Sequence, residues 1–372
     1  MNSKNAIRSP FYKVLHIGPL PPPVGGMATV IESLTQVLQS FIDIRILNNV
    51  KTTPINRSLM QGIAAQLSLL ARLVTLGWTW KPQIVHIHTC SWFTFWRSSL
   101  DVLIARLLRK RVLLHIHGGE FKLFLESLSP LKASIARLIF FLCSRVIVLG
   151  HSWKLLLSDW CDPTKLEIVQ NGTSIEAKQK LPNDDVFMIV CFANYDKRKG
   201  QADLLKAVST LKAQDNRRIL VALLGTETEV GQRQTLLTLA QVLGLADNVF
   251  IPGPVTGKDK DAWWMKANCF CIPSYNECMP MSILEAMAKG IPVVATRVGS
   301  IPEMVEDQVE AFLYEAGDVS SLSSCLQRLL DYPEVAERLG CAGRDRQIRD
   351  FNIEQTANRL LSIYTSIEMS DI

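Results

Sequence analysis

The chain has 372 residues, 48% of them hydrophobic and 20% charged, too apolar for a disordered segment and long enough for two separate cores. With 20 Gly and 17 Pro it is neither collagenous nor of low complexity. Net charge is +5, but residues 1–182 hold 21 Lys/Arg against 9 Asp/Glu and the remainder 19 against 26, so a basic front half, expected to meet a membrane surface, a phosphate-bearing substrate or nucleic acid, precedes an acidic back half.

In chain order, short apolar runs alternate with helix-length segments. Strands are predicted at Tyr12–Ile17, Asp43–Leu47, Ile84–His88, Val112–His117, Val146–Leu149 and Leu166–Val169. Helices are predicted at Met27–Gln39, Leu59–Leu76, Trp92–Leu108, Leu131–Cys143 and Ser152–Trp160. The strands are rich in β-branched residues and not cleanly alternating, as expected where both faces are covered. Asn171-Gly172 and the polar stretch Glu176–Asp185 then read as an interdomain linker. A second series follows, with strands at Phe187–Ala193, Ile219–Leu224, Val249–Ile251, Cys269–Ile272 and Val293–Ala295. Its helices are Gln201–Ala213, Gln232–Leu243, Lys258–Lys266 and Met281–Lys289, with further helix over most of Leu322–Ile367. The pattern predicts two doubly wound α/β domains and a helical tail. The boundaries are 1–180, 186–350 and 351–372, the last piece expected to pack back on the first domain.

The longest apolar tracts, Leu67–Trp80 and Leu131–Leu149, are broken by Arg72 and by Lys132, Arg137 and Arg145, so no clean run of ~18 residues offers a membrane span. No secretory signal opens the chain, because the first apolar run leads into a Gly/Pro loop. The nine cysteines form no CxxC pair and read as reduced thiols of a cytoplasmic protein.

Four constellations carry chemistry. Gly25-Gly26 lies between the first strand and first helix, where backbone can approach a ligand and a helix N-terminus offers N–H groups to an anion. It is not a GxGxxG dinucleotide fingerprint. All six histidines lie in the front half, and His86/His88 and His115/His117 form i,i+2 pairs that each share a strand face. Their inner members fit a covered core better than a metal site. His117 ends its strand before Gly118-Gly119, at the edge where open α/β sheets bind ligands. Next, Asn194-Tyr-Asp-Lys197-Arg198-Lys199-Gly200 follows a strand and opens a helix, so its cations suit a diphosphate. Last, Pro273-Ser274 and Glu277-Cys278-Met279-Pro280-Met281 lead into a helix carrying Glu285 and closed by Gly290. The two carboxylates suit sugar and ribose hydroxyls, and the amides of Cys278–Ser282 suit phosphate.

Glu277-x7-Glu285, with Pro273-Ser274 before it and Glu-Ala-Met-Ala-x-Gly after it, resembles the signature of family 4 retaining glycosyltransferases of the GT-B fold. Gly25-Gly26, His117-Gly118, Asn171-Gly172, Lys199-Gly200 and the run Val294–Glu303 extend the resemblance along nearly the whole chain. It implies two Rossmann-like domains facing across a cleft, the first taking an acceptor and the second a UDP- or GDP-linked sugar as co-substrate, with no other cofactor. It assigns Glu285 to the ribose, Glu277 and the Cys278–Pro280 loop to the donor sugar, Lys199 to the diphosphate and His117 to the sugar near the reacting carbon. Asn194 stands where the family often has an arginine, so Arg198 or Lys197 is expected to share that task. Gly299-Ser300 replaces a common Gly-Gly. No acidic metal motif stands on a suitable loop, so no metal is expected.

The expected reaction is hexosyl transfer with retention. Trp92, Phe93, Phe95 and Trp96 beside Arg97, and the mixed apolar and basic stretches Leu107–Arg111 and Phe121–Arg145, suit anionic headgroups. They point to a lipid-linked oligosaccharide acceptor in surface-polysaccharide or lipopolysaccharide assembly and to peripheral contact with the cytoplasmic membrane. No nucleic-acid motif is present. The rival readings are a soluble-acceptor transferase, a nucleotide-sugar epimerase and a catalytically silent sugar-nucleotide binder.

Overall fold

The computed structural model describes residues 12–22, 25–50, 59–182, 185–211 and 217–369. They fall into two compact units: unit 1 runs to Gln170 and resumes at Ile353, and unit 2 is Asn171–Asn352.

Unit 1 contains β1 (Lys13–Gly18), α1 (Gly26–Leu38), β2 (Asp43–Asn48), α2 (Leu59–Thr79), β3 (Ile84–Thr89), α3 (Phe93–Leu107) and β4 (Arg111–Ile116). It continues with α4 (Phe121–Glu126), α5 (Pro130–Leu142), β5 (Arg145–Val148), α6 (His151–Ser158) and β6 (Leu166–Ile168). The six strands form one parallel sheet in the order β2-β1-β3-β4-β5-β6. Every residue of β3 is buried, the alternating His86 and His88 included, so both faces of this strand are covered. Helix α1 buries Ala28, Val30, Ile31, Leu34 and Leu38 along one stripe. The order reverses between β1 and β3, the switch point at which such sheets open a crevice at the strands' carboxyl ends.

Unit 2 contains β7 (Val186–Phe192), α7 (Gln201–Val208), β8 (Arg218–Leu224), α8 (Gln232–Val242), β9 (Val249–Gly253), α9 (Gly257–Lys266) and β10 (Cys269–Ile272). After these come α10 (Met281–Lys289), β11 (Val293–Thr296), α11 (Ile301–Met304), β12 (Ala311–Tyr314), α12 (Val319–Asp331) and α13 (Pro333–Asp350). Its parallel sheet has the order β12-β11-β10-β7-β8-β9, with the switch between β7 and β10. The last helix, α14 (Ile353–Met369), belongs to unit 1. It lies against α1, pairs Arg359 with Glu167 at 2.8 Å and Glu368 with Arg111.

The boundary differs from the expected linker at 176–185. Residues from Asn171 on are wired to unit 2: Asn171 Nδ2 donates to the Met279 carbonyl at 3.1 Å, the Gln179 amide to that of Lys289 at 2.9 Å, and Gln179 Nε2 to that of Trp264 at 2.7 Å. The first domain therefore stops at 170, not 180. Likewise Phe351 stays with unit 2, its carbonyl accepting the Thr173 amide at 3.0 Å, so the tail begins at Ile353 instead of 351. Asn183 and Asp184, central to the expected linker, lie outside the described residues, as do 212–216 beyond the shortened α7. Three elements are additional to the expected set: α4, α11 and β12.

Candidate active site

In unit 2 the loops after β7 and β10 leave the switch point side by side. The Tyr275 amide donates to the Arg198 carbonyl at 2.7 Å. Gly200, at φ 67°, is so close to the other loop that a Cβ would sit 2.0 Å from the Pro273 oxygen, so only glycine fits there. This contact brings Lys199 Nζ to 2.6 Å from Glu277 Oε1, and Ser274 Oγ donates to the same oxygen at 2.7 Å. Glu277 is 9% exposed. Its backbone rests on Gly299, where a Cβ would come within 1.9 Å of the Glu277 oxygen at φ 55°.

Cys278, Met279 and Met281 are buried. The Cys278 carbonyl accepts the Ser300 amide at 2.9 Å, and Met279 Sδ accepts the Asn171 amide at 3.2 Å. Cys278 is not among the non-glycine residues with positive φ, so an L side chain sits there without strain. Pro280 caps α10, and Gly290 closes it in the left-handed region at φ 73°. On α10, Glu285 Oε2 is 2.5 Å from Lys260 Nζ on α9. A diol arriving at Glu285 therefore meets a carboxylate already paired with one cation.

Asp196 takes Arg198 for itself. It accepts Arg198 Nε at 3.0 and 3.1 Å and the Arg198 backbone amide at 2.9 Å, and these bonds hold its carboxyl below the usual range. The guanidinium expected to stand in for the missing arginine is thus pinned inside its own loop. Asn194 is exposed, its Oδ1 accepting the Thr226 amide at 3.4 Å. Lys199 is the cation that this loop commits to Glu277.

In unit 1, Gly25 and Gly26 are exposed at the start of α1, with nothing within 4 Å of a Cβ built on either. Gly25 is the N-cap in extended conformation, φ −156°. Neither backbone nor packing demands glycine there. Pro23 and Val24 of this loop lie outside the described residues. His117 stands one residue past β4, its amide donating to the Thr89 carbonyl at 2.8 Å. Its Nε2 lies 3.0 Å from His88 Nδ1. Burial lowers its pKa to about 3, so the ring is neutral and works as a hydrogen-bonding group, not a cation. The other strand histidines are core, as their shared faces implied, and bond to one another. Donor atoms of His16, His86 and His88, and of His88, His115 and His117, lie within 4.8 Å of one another, so these two sets are where a metal could be held.

The site also uses Ser274, Lys260, Asp196 and Gly299, whose roles here do not show in the sequence. Of these, Asp196 and Ser274 lie close in sequence to their partners, Asp196 two residues before an arginine at a helix start and Ser274 three before Glu277. Lys260 and Gly299 come from elements far along the chain. Of Trp92, Phe93, Phe95 and Trp96, Phe95 is wholly buried among Phe121, Phe124 and Phe140, whereas Phe93 is 73% exposed.

The solved structures place this architecture. A sucrose-phosphate synthase from Thermosynechococcus elongatus superposes with TM-score 0.76 at 19% identity, over 96% of this chain and 99% of that one. The Anabaena protein HepE, in complex with UDP-glucose, superposes with TM-score 0.74 at 17% identity, over 95% and 99%. The chain has the GT-B fold of glycosyltransferases. Two family models run along it: Glycosyltransferase Family 4 over residues 24–177 and Glycosyl transferases group 1 over residues 173–346. The D-inositol 3-phosphate glycosyltransferase of Salinispora tropica is 31% identical over 55% of this chain and 46% of its own length. The chain spans about half the length of the curated relatives it matches. Among the described residues, no helix is long and apolar enough to cross a membrane.

Proposed function

We propose that the chain transfers a hexosyl group from a nucleotide sugar to an acceptor hydroxyl with retention of configuration. The observation that carries this is the meeting of Lys199 and Glu277 at the switch point of unit 2. A fixed cation and a carboxylate there can address a diphosphate and the hydroxyls of the sugar attached to it. In this reading Glu285 takes the ribose, Glu277 and the Cys278–Met281 loop take the sugar, and the first-turn amides of α10 face phosphate. Lys199 stabilises charge on the leaving diphosphate, with Asn194 a neutral neighbour. Gly25 and Gly26 leave room at the α1 N-terminus for a ligand, and His117 offers a neutral ring nitrogen to a sugar hydroxyl. A UDP-linked donor is favoured by the fold neighbour solved with UDP-glucose.

For the acceptor we propose a lipid-linked saccharide. Helix α5 exposes Leu131, Ile135, Leu138 and Phe141, a stripe at i, i+4, i+7 and i+10 spacing. The adjoining α3 exposes Leu100, Leu103 and Leu107. Set in a front half of net positive charge, this surface suits an anionic bilayer.

A thermal-shift screen of UDP- and GDP-sugars tests the donor. A ligand at 100 times its Kd adds about 2.7 kcal/mol of stability. Stabilisation with sugar transfer to an acceptor supports the reading; epimerised free donor points to the epimerase, and stabilisation without turnover to the silent binder. Retention is read from the anomeric configuration of the product by NMR. Turnover is expected to persist in EDTA; loss restored by magnesium would move leaving-group stabilisation from Lys199 to a metal. Co-sedimentation with anionic but not neutral vesicles, weakening with salt, tests the membrane contact.

A further inference from the structure

We propose that His115, His86, Tyr364, His16 and His88 form a one-way hydrogen-bonded relay that ties the tautomer of His117 to that of every other ring along it. All five histidines come from one sheet face: His16 on β1 lies opposite His86 on β3, and His88 on β3 opposite His115 on β4. Tyr364 enters from α14. The links run in series. His115 Nδ1 is 3.2 Å from His86 Nε2, and His86 Nδ1 is 2.6 Å from the Tyr364 hydroxyl. That hydroxyl is 3.1 Å from His16 Nε2, His16 Nδ1 is 3.1 Å from His88 Nε2, and His88 Nδ1 is 3.0 Å from His117 Nε2.

Every ring points the same way along this series, Nε2 toward His115 and Nδ1 toward His117. A neutral imidazole has one N–H and one lone pair, and burial, reinforced by the neighbouring rings, keeps the shared group neutral. Each link needs one proton: two would collide, and none would set lone pair against lone pair. Tyr364 is wholly buried and touches two rings, so it donates to one and accepts from the other. Accepting from both would strand its own proton, at a cost of about 1–3 kcal/mol. One sense therefore runs through all six groups, and the five rings share a single tautomer, all Nδ1–H or all Nε2–H.

The two ends differ. Among the described residues, His115 Nε2 is buried and without a partner, so the relay passes no net proton on to them. At the other end the relay engages His117 Nε2 and leaves Nδ1 for a ligand. The role of Nδ1, donor or acceptor, is then set by rings as distant as His115. This rests on the reading that His117 meets the sugar, and it makes Tyr364 and the four inner histidines positioning residues.

The test is NMR of histidine-labelled full-length protein, with the tautomer of each ring read from its nitrogen shifts. One tautomer at all five rings is expected. Tyr364→Phe keeps the ring but removes the joint, so each half is free to take either sense. His117 should then show mixed tautomers, with kcat lowered in proportion to the share of His117 that leaves the wild-type tautomer and the donor KM within about twofold. Mixed tautomers in the wild type, an unchanged His117 tautomer in Tyr364→Phe, or stoichiometric metal in the purified protein would each overturn the relay. If the rings are uniform but His117→Ala keeps full turnover, the relay stands and the assignment of His117 to the sugar falls. If His117→Ala abolishes turnover while the tautomers are mixed, the relay alone falls.

Discussion

Units 1 and 2 build the same parallel sheet between helices but fill it with different chemistry. Unit 1 packs four wholly buried histidines and a tyrosine behind its carboxyl edge. Unit 2 holds none of the six histidines; at comparable depth it places the thiols of Cys191, Cys269 and Cys271, which burial pushes upward, and its ion pairs include Lys199–Glu277 between the switch-point loops and Lys260–Glu285 between α9 and α10. The lesson is that equal architecture does not give equal response to protons. Thiols that stay neutral are indifferent to mild acid, whereas imidazoles held neutral are not.

The largest expected effect breaks the two units apart. The folded pKa of each strand histidine lies below the unfolded value of 6.5. Their contribution is therefore intact above pH 6.5 and lost as the pH falls toward about 3, the folded value of His16 and His117. Each ring removes about 1 kcal/mol per pH unit in that window. The set removes on the order of 5 kcal/mol within one unit, comparable to the whole stability of a domain. Hydrogen exchange at pH 5 is expected to open peptides of β1, β3 and β4 while those of β7, β8 and β10 stay protected. Opening of both units at the same pH would erase the contrast.

A smaller effect sharpens the picture of unit 2. Lys199→Ala is expected to lower turnover by at least ~100-fold, the scale of one strong electrostatic stabiliser. Arg198→Ala, already occupied by Asp196, should change turnover less than about threefold. Equal losses in steady-state kinetics would return the diphosphate to Arg198. Next in size, Glu285→Gln is expected to weaken donor binding by about 1.5–3 kcal/mol by calorimetry with thermal stability preserved; unchanged affinity would free Glu285 from the ribose.

The smallest effect tests unit 1 from the opposite sign. Burial raises the Asp101 carboxyl to about 7, with Arg97 pulling it back and Gln66 bonding to it. Its folded pKa lies above the unfolded 3.8, so it binds a proton on folding and adds stability as the pH falls through 7. It thereby offsets part of the histidine loss. In Asp101→Asn the drop in unfolding free energy between pH 7 and 5 should steepen by on the order of 1 kcal/mol. An unchanged slope in denaturant titrations would mean Asp101 is ionised in the fold.

The strand series was legible because buried parallel strands write themselves as β-branched runs, and most predicted ends fall within a residue or two of those seen. The misses have physical causes. Helix α4 is six residues long, too short to show a period. Strand β12 is four apolar residues, indistinguishable by pattern from a buried turn of helix. Polarity placed the boundary at Glu176–Asp185, but the bonds of Asn171 and Gln179 decide it, and these are long-range. In the site, Lys199, Glu277 and Glu285 stood out through loop context. The cation paired with Glu285 did not, because Lys260 sits on a different helix. The i,i+2 histidines revealed a shared face, yet the joint of the relay, Tyr364, lies 278 residues from His86.

Helix α14 returns to unit 1 after the whole of unit 2 has intervened. During synthesis the sheet of unit 1 emerges first, yet Tyr364 and the helix that covers α1 follow only after roughly 180 further residues, on the order of ten seconds or more at ribosomal speed. For that interval the imidazoles of β1, β3 and β4 lack their hydroxyl partner. Unit 2 can finish folding while unit 1 is still incomplete. The N-terminal half is thus the last to mature, and a chain ending at Asn352 would hold every residue of unit 2 while unit 1 still lacked its closing helix.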